Sequence, residues 1–240
     1  MAREPYDYIA VGITGAAFAG AGNIYSRDFF RAVSDKLHPD GIFMLWVQVH
    51  HVFPQDVRSV VHTLRTVFPH VHMYTDPWQM QGYLLASRSE LSIDPLLVKK
   101  LNDSDHIRSV LSQHQLDSVL DLVERSVFTT EDEFSRYLAD PAVGQPPILL
   151  TDLFPAFEYS TPYALAERLN SFYFHRYSDN RLPPMSPDVT AEERAVLEWR
   201  RALGWGDKRG ALEALRRAKE FGGHDKYDER IRKLELETKN

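Results

Sequence analysis

The chain has 240 residues, 43% of them hydrophobic and 26% charged, a composition of ordinary globular protein and not of a disordered one. Its formal net charge of -6 argues against a dedicated nucleic-acid binder or a surface for anionic membranes. With no cysteine, disulfides, zinc–thiolate sites and cysteine nucleophiles are excluded, which fits a reducing compartment and a cytoplasmic location.

The amino-terminal stretch has the small-residue look of a signal peptide, but Glu4 and Asp7 spoil the positive region and Gly12 and Gly15 break the apolar one. Tyr8-Ile9-Ala10-Val11 reads instead as a strand buried on both faces, followed by a small-residue loop from Gly12 to Gly22. Apart from the Thr14 hydroxyl, that loop holds no group that titrates, ligates a metal or attacks a substrate. Ser26 caps the next helix, with Asp28 in its first turn, and Phe29, Phe30, Val33 and Leu37 form its apolar face. His38-Pro39-Asp40-Gly41 is expected to stop that helix, and Ile42 to Val47 to form a second buried strand.

Pro54 suits the first position of a helix whose Val57, Val60, Val61, Leu64 and Val67 recur at spacings of three and four. Val71–Tyr74 and Tyr83–Ala86 follow as strands, joined by a connection too short for a helical crossover and so expected to be antiparallel. From Ile93 to Leu138 the pattern is helical, in runs Leu96–Leu101, Ile107–Leu111, Leu116–Val123 and Glu131–Leu138. Ile148 to Asp152 reads as strand or extended chain, Ala164 to Phe174 as a helix, and Ser178 to Pro187 as a linker. Beyond it, a capping box at Thr190 and Glu193 opens a helix with Val196, Leu197, Trp199 and Leu203 inward. Turns at Gly206-Asp207 and Gly222-Gly223 set off a second and third helix. The expected fold is α/β: a partial doubly wound sheet with a reversed final hairpin and helical insertion over 1–177, then an α-helical hairpin over 188–240.

The C-terminal helices resemble one tetratricopeptide unit, a hairpin that cannot bury its own face and so is expected to pack on a main domain or a partner. The segment from Tyr6 to about Ser87 resembles the C-terminal half of the spermidine synthase-like family, the polyamine aminopropyltransferases. The features that carry this are YDYIAV followed by AGAGNIYSRDFF, the strand LHPDGIFMLWVQ, and the later strands VFPHVHMY and GYLLASRS. A last echo lies in Thr151-Asp152, Pro155 and Glu158-Tyr159, similar to the family's Thr-Asp-Asp-x-Pro-x-x-Glu-Tyr segment. The likeness covers a little over half the chain and implies an S-adenosylmethionine-dependent methyltransferase-type fold and a Rossmann-like sheet.

The family's reaction moves an aminopropyl group from decarboxylated S-adenosylmethionine to an amine. It needs a carboxylate to orient the amine and take its proton, a glycine-rich first βα turn, and an acid on the adenosine ribose. The family's carboxylate position falls on Gly12 and the proline after it on Ile13, while Gly15, Ala16 and Ala17 replace the polar and Trp residues that follow. The glycine-rich turn and the ribose acid belong to the half of the sheet before Tyr8. The expected function is therefore a degenerate or split module without independent catalysis, associating with a partner or its own copy that covers the Tyr8–Val11 edge. The alternatives are an aminopropyltransferase completed by a separate N-terminal half, and a helical interaction adaptor.

No catalytic residue, cofactor or metal is assigned. Asn23, Tyr25, Trp46, Gln48, Asp152 and Glu158 stand as remnants of a pocket wall, with Asp152 and Glu158 read as structural and Leu153 in place of the family's second Asp. His50-His51 reads as a polar loop and His70 with His72 as an exposed strand face rather than metal ligands. Gly20-x-Gly22 lacks the third glycine and lysine of a phosphate loop, and no nucleophile-elbow pattern occurs. No stretch reaches the length of a membrane span.

Overall fold

A computed structural model of the chain describes residues 4–12, 20–76, 81–114, 116, 118–167, 174, 182–185, 189–204, 206–223 and 225–238. It is an α/β protein with a five-stranded mixed sheet. The strands are β1 (Tyr6–Val11), β2 (Leu37–Gln48), β3 (His70–Asp76), β4 (Gln81–Ser87) and β5 (Ser126–Phe128), in the spatial order β1-β2-β4-β3-β5. β1 runs parallel to β2, and β4 is antiparallel to both β2 and β3. The residues group into two compact units, Met1–Leu91 with Val127–Ser178, and Ser92–Ser126 with Asp179–Asn240. The sequence reading had instead kept the helical run after Ile93 with the sheet.

In the first unit, the Ser26 hydroxyl accepts the Phe29 N–H at 3.1 Å and starts α1 (Arg27–Ser34). Phe29 and Phe30 of α1 meet Phe43 of β2 at ring separations of 6.4 and 6.0 Å, and Phe43 stacks on Phe68 at 5.9 Å. Ile9 pairs with Phe43 and Val11 with Leu45, and the sheet face bearing Phe43, Leu45, Leu84 and Ala86 is closed over the core.

Two expectations are corrected here. His38-Pro39-Asp40-Gly41 does not terminate the helix, which has already ended at Ser34; it opens β2 as a bulge, since Tyr6 pairs with Leu37 but Tyr8 with Ile42. Glycine suits position 41 because a Cβ there would lie 2.9 Å from the Tyr6 carbonyl oxygen. Nor is β1 buried on both faces. Tyr6 and Tyr8 are 50% and 56% exposed, Asp7 and Ala10 are exposed, and only Ile9 and Val11 are half-buried. The reason is position: β1 is an edge of the sheet, and nothing among the described residues lies on its outer side.

α2 (Pro54–Arg65) buries Val57, Val60, Val61 and Leu64 as its spacing predicts, with Pro54 in the first turn. It also buries polar groups whose partners lie far along the chain. Ser59 and Thr63 each donate a hydroxyl one turn back along α2 and accept an N–H of the 148–150 segment, Ile148 at 3.1 Å and Leu150 at 3.0 Å. Among the described residues that segment joins no strand, and its N–H groups are held by side-chain hydroxyls. Arg58, fully buried, donates to the carbonyls of Leu138 and Asp140 at 2.9 and 2.6 Å, where α5 (Glu131–Ala139) ends. Arg65 pairs with Glu131 and lies over the Phe134 ring.

β5 interrupts the helical run expected over 93–138, and the expected Leu116–Val123 helix is a 3-10 helix, Val119–Arg125, with a capping box at Ser118 and Asp121. α6 spans Ala156–Glu167, with Phe157, Thr161 and Ala164 inward. Much of the helix expected over Ala164 to Phe174 lies outside the described residues. Most of the Ser178–Pro187 linker does too, but Leu182 is buried and Met185 bridges Ile93.

The second unit holds α3 (Pro95–Asn102), α4 (Asp105–Gln113), α7 (Ala191–Gly204), α8 (Lys208–Gly222) and α9 (Asp228–Thr238). Ala195, Trp199, Ala202, Ala211, Leu215, Ala218, Tyr227 and Leu234 pack one core between α7, α8 and α9. The capping box at Thr190 and Glu193 is formed, and Gly223, at φ 62°, closes α8. Among the described residues no helix is long and apolar enough to cross a membrane.

Arg58→Met removes two donors from carbonyls at a buried helix end and is expected to cost about 2–4 kcal/mol in urea unfolding. Arg58→Lys, which keeps the charge but cannot span both carbonyls, should fall between the variant and the native protein.

Candidate functional site

In a sheet of this kind the place to look is outside the carboxyl ends of the parallel strands. β1 ends at Val11 and β2 at Gln48. The chain returns from β1 through Gly20, at φ 84°, into a 3-10 turn, Ala21–Tyr25, directly before α1. Residues 13–19, which include Thr14, Gly15, Ala16 and Ala17, lie outside the described residues.

The turn is tied to the start of α6 and the residues before it by a set of local bonds. The Gly22 N–H donates to Glu158 Oε2 at 3.1 Å, and a Cβ at position 22 would come within 2.9 Å of Glu158 and Pro155, so glycine is what admits the approach. The Ser26 hydroxyl donates to Asp152 Oδ1 at 2.5 Å, and the Asp152 N–H donates to Asp28 Oδ2 at 3.1 Å. The Arg27 N–H donates to the Leu150 carbonyl at 2.9 Å. Tyr25 is fully buried with its ring edge-on to Phe157 at 4.8 Å. Its hydroxyl has no hydrogen-bond partner among the described residues, and burial holds its proton well above the usual phenol range.

Of the six residues proposed from sequence, the fold thus brings Tyr25, Asp152 and Glu158 into one knot. Asn23 sits in the same turn with its side chain exposed. Trp46 and Gln48 are buried on β2, where Trp46 stands opposite Tyr83 and the Gln48 amide donates to the His50 carbonyl at 2.8 Å. Among the described residues neither has a hydrogen bond or ring contact to the knot.

The residue that sequence reading missed is Asp56, in the first turn of α2. Its Oδ2 accepts the Ser160 hydroxyl of α6 at 2.5 Å, and burial pushes its carboxyl up to about 6 despite that bond and one from the Phe53 backbone. A carboxyl in that range exchanges a proton close to neutral pH. Before folding, Asp56 shows only as an acidic residue near a helix start; its partner lies 104 positions away.

The histidines divide. His50 and His51 meet edge to face at 5.3 Å, and His51 adopts a left-handed backbone, φ 54°, just past β2. His72 is not on an exposed face: it is buried on β3, and desolvation lowers it to about 4, outweighing the nearby Glu133 charge. No group of three or more metal-ligating side chains occurs among the described residues.

Comparison with known proteins gives no matching family model and no matching curated protein.

Asp56 holds its proton more tightly folded than unfolded, so ionising it opposes folding and stability falls as pH rises from about 4 to about 6. Asp56→Asn keeps an acceptor for Ser160 without the charge. It should stabilise the protein by about 1–2 kcal/mol at pH 8, a gain that disappears below about pH 4 in parallel denaturation curves.

Proposed function

We propose that the first unit is a partial doubly wound sheet of the spermidine synthase-like type. In this reading the chain is a degenerate or split module that works through association and does not catalyse on its own. One observation carries it. The two carboxylates that echo the family's acidic segment serve as fasteners, Glu158 on the Gly22 amide and Asp152 on the Ser26 hydroxyl. The end of β1, where the family's reaction calls for a proton acceptor, carries Gly12. The exposed outer edge of β1 supports the association half of the reading, because an open apolar strand edge is a template for another chain. The partner is a protein, a separate polypeptide or a second copy, and a cytoplasmic location goes with it. The likeness of α7 and α8 to a tetratricopeptide hairpin belongs to the same proposal.

Asp56 favours a second reading, an aminopropyltransferase completed by a separate N-terminal half. A carboxyl held near 6 at the β2 end of the sheet is suited to take a proton from an amine at neutral pH. Calorimetry with decarboxylated S-adenosylmethionine or methylthioadenosine tests the first reading. The degenerate reading expects no saturable heat with this chain alone, and a saturable isotherm overturns it.

A further inference from the structure

The two edges of the sheet are unlike. β5 is three residues long and wholly buried, so it offers nothing to pair with. β1 is six residues long and bears Tyr6, Tyr8 and Ala10 on an exposed face. The Tyr6 N–H donates to the Lys36 carbonyl at 2.8 Å, toward β2, and the extra residues of the bulge belong to β2, so β1 alternates without interruption. Asp7, Ile9 and Val11 therefore turn their backbone N–H and C=O groups outward, three residues' worth of ladder that no strand among the described residues pairs.

We propose that this edge pairs with itself: two copies of the chain join antiparallel along β1, with Ile9 facing its counterpart across a two-fold axis. The pairing rests on the association reading above and names its occupant as a second copy.

Geometry and charge select this register. Residues directly opposite each other in an antiparallel pair share a sheet face, so the axis must pass through a residue of β1. An axis at Asp7 sets two carboxylates face to face, which is destabilising. At Tyr8, Asp7 stands opposite Ile9 and the two Asp7 residues are about 7 Å apart along the strands, inside the Debye length of about 8 Å. An axis at Ala10 pairs only Ile9 to Val11. At Ile9, the large Tyr8 stands against the small Ala10 and Asp7 against Val11, and the Asp7 residues separate to about 13 Å, where salt screens them. Ile9 is also an outward-facing position, so the two copies exchange both hydrogen bonds at the axis. The strand is uncharged from Tyr8 to Val11, so no other like charges meet, whereas a chain of net charge -6 repels its copy over much of the remaining surface.

The absence of cysteine makes the register directly readable. Opposed residues of a hydrogen-bonded pair lie about 5.5 Å apart at Cα, within the reach of a disulfide. Ile9→Cys in the full chain should form a covalent dimer under mild oxidation. Tyr8→Cys, whose two copies are diagonal neighbours about 7–8 Å apart, should not. Light scattering on the unmodified chain should give twice the 27.7 kDa of one chain, falling toward that value on dilution. A mass of 27.7 kDa at every concentration overturns the proposal, as does cross-linking through position 8 and not 9, with circular dichroism establishing that both variants fold. The single-chain mass rejects the second copy as occupant and cross-linking through position 8 rejects the Ile9 register, while the calorimetry above independently tests the non-catalytic reading.

Discussion

The ladder between β1 and β2 runs along one side of β1, and the rest of the account depends on that asymmetry. Parallel strands ordinarily lie in the interior of a sheet with both faces covered. Here the parallel pair lies at the rim, and Tyr8, Ala10, Ile42, Met44 and Leu85 share a face that grades from exposed at β1 to half-buried at β4. The opposite face, carrying Ile9, Phe43, Leu45 and Leu84, is where α1 packs. The face bearing Tyr8 is buried farther along, at Trp46, Gln48 and His72, so the exposure is local to β1, which has the sequence of an interior strand in the position of a boundary strand. The proposed association would resolve that conflict without altering anything within the chain.

The same economy governs the polar groups of the first unit. Ser59 and Thr63 supply the 148–150 backbone with acceptors that a strand would otherwise provide, and Arg58 closes the end of α5. Glu158 and Asp152 pin the turn that follows the small-residue loop. Both of these carboxylates are engaged in structure, leaving little carboxylate for chemistry near the knot among the described residues. Asp56 is the counterweight, since its burial keeps a proton within reach of neutral pH.

Local signals in the sequence were legible wherever the partner was close in the chain. The Ser26 cap, Pro54 at a helix start, the Thr190–Glu193 capping box and the three-four spacing of Val57 to Leu64 all act within a few residues, and each formed as read. The antiparallel β3–β4 hairpin followed from a connection too short for anything else. What sequence could not carry was set by distant contacts. The HPDG bulge depends on β1 lying beside it, β5 is three residues whose strand character comes from its neighbour, and the Asp56–Ser160 and Arg58–Leu138 bonds join residues 104 and 80 positions apart. His72 looked exposed by alternation because alternation identifies a face but not what covers it.

The claim that matters most is that the outer edge of β1 is open in a single chain. Amide hydrogen exchange on dilute, monomeric protein tests it at three positions. The account predicts rapid exchange at Asp7, Ile9 and Val11 while Phe43 and Leu45 in β2 exchange slowly. Protection of those three amides equal to that of β2 in the dilute monomer would mean the edge is already covered from within, and would contradict it.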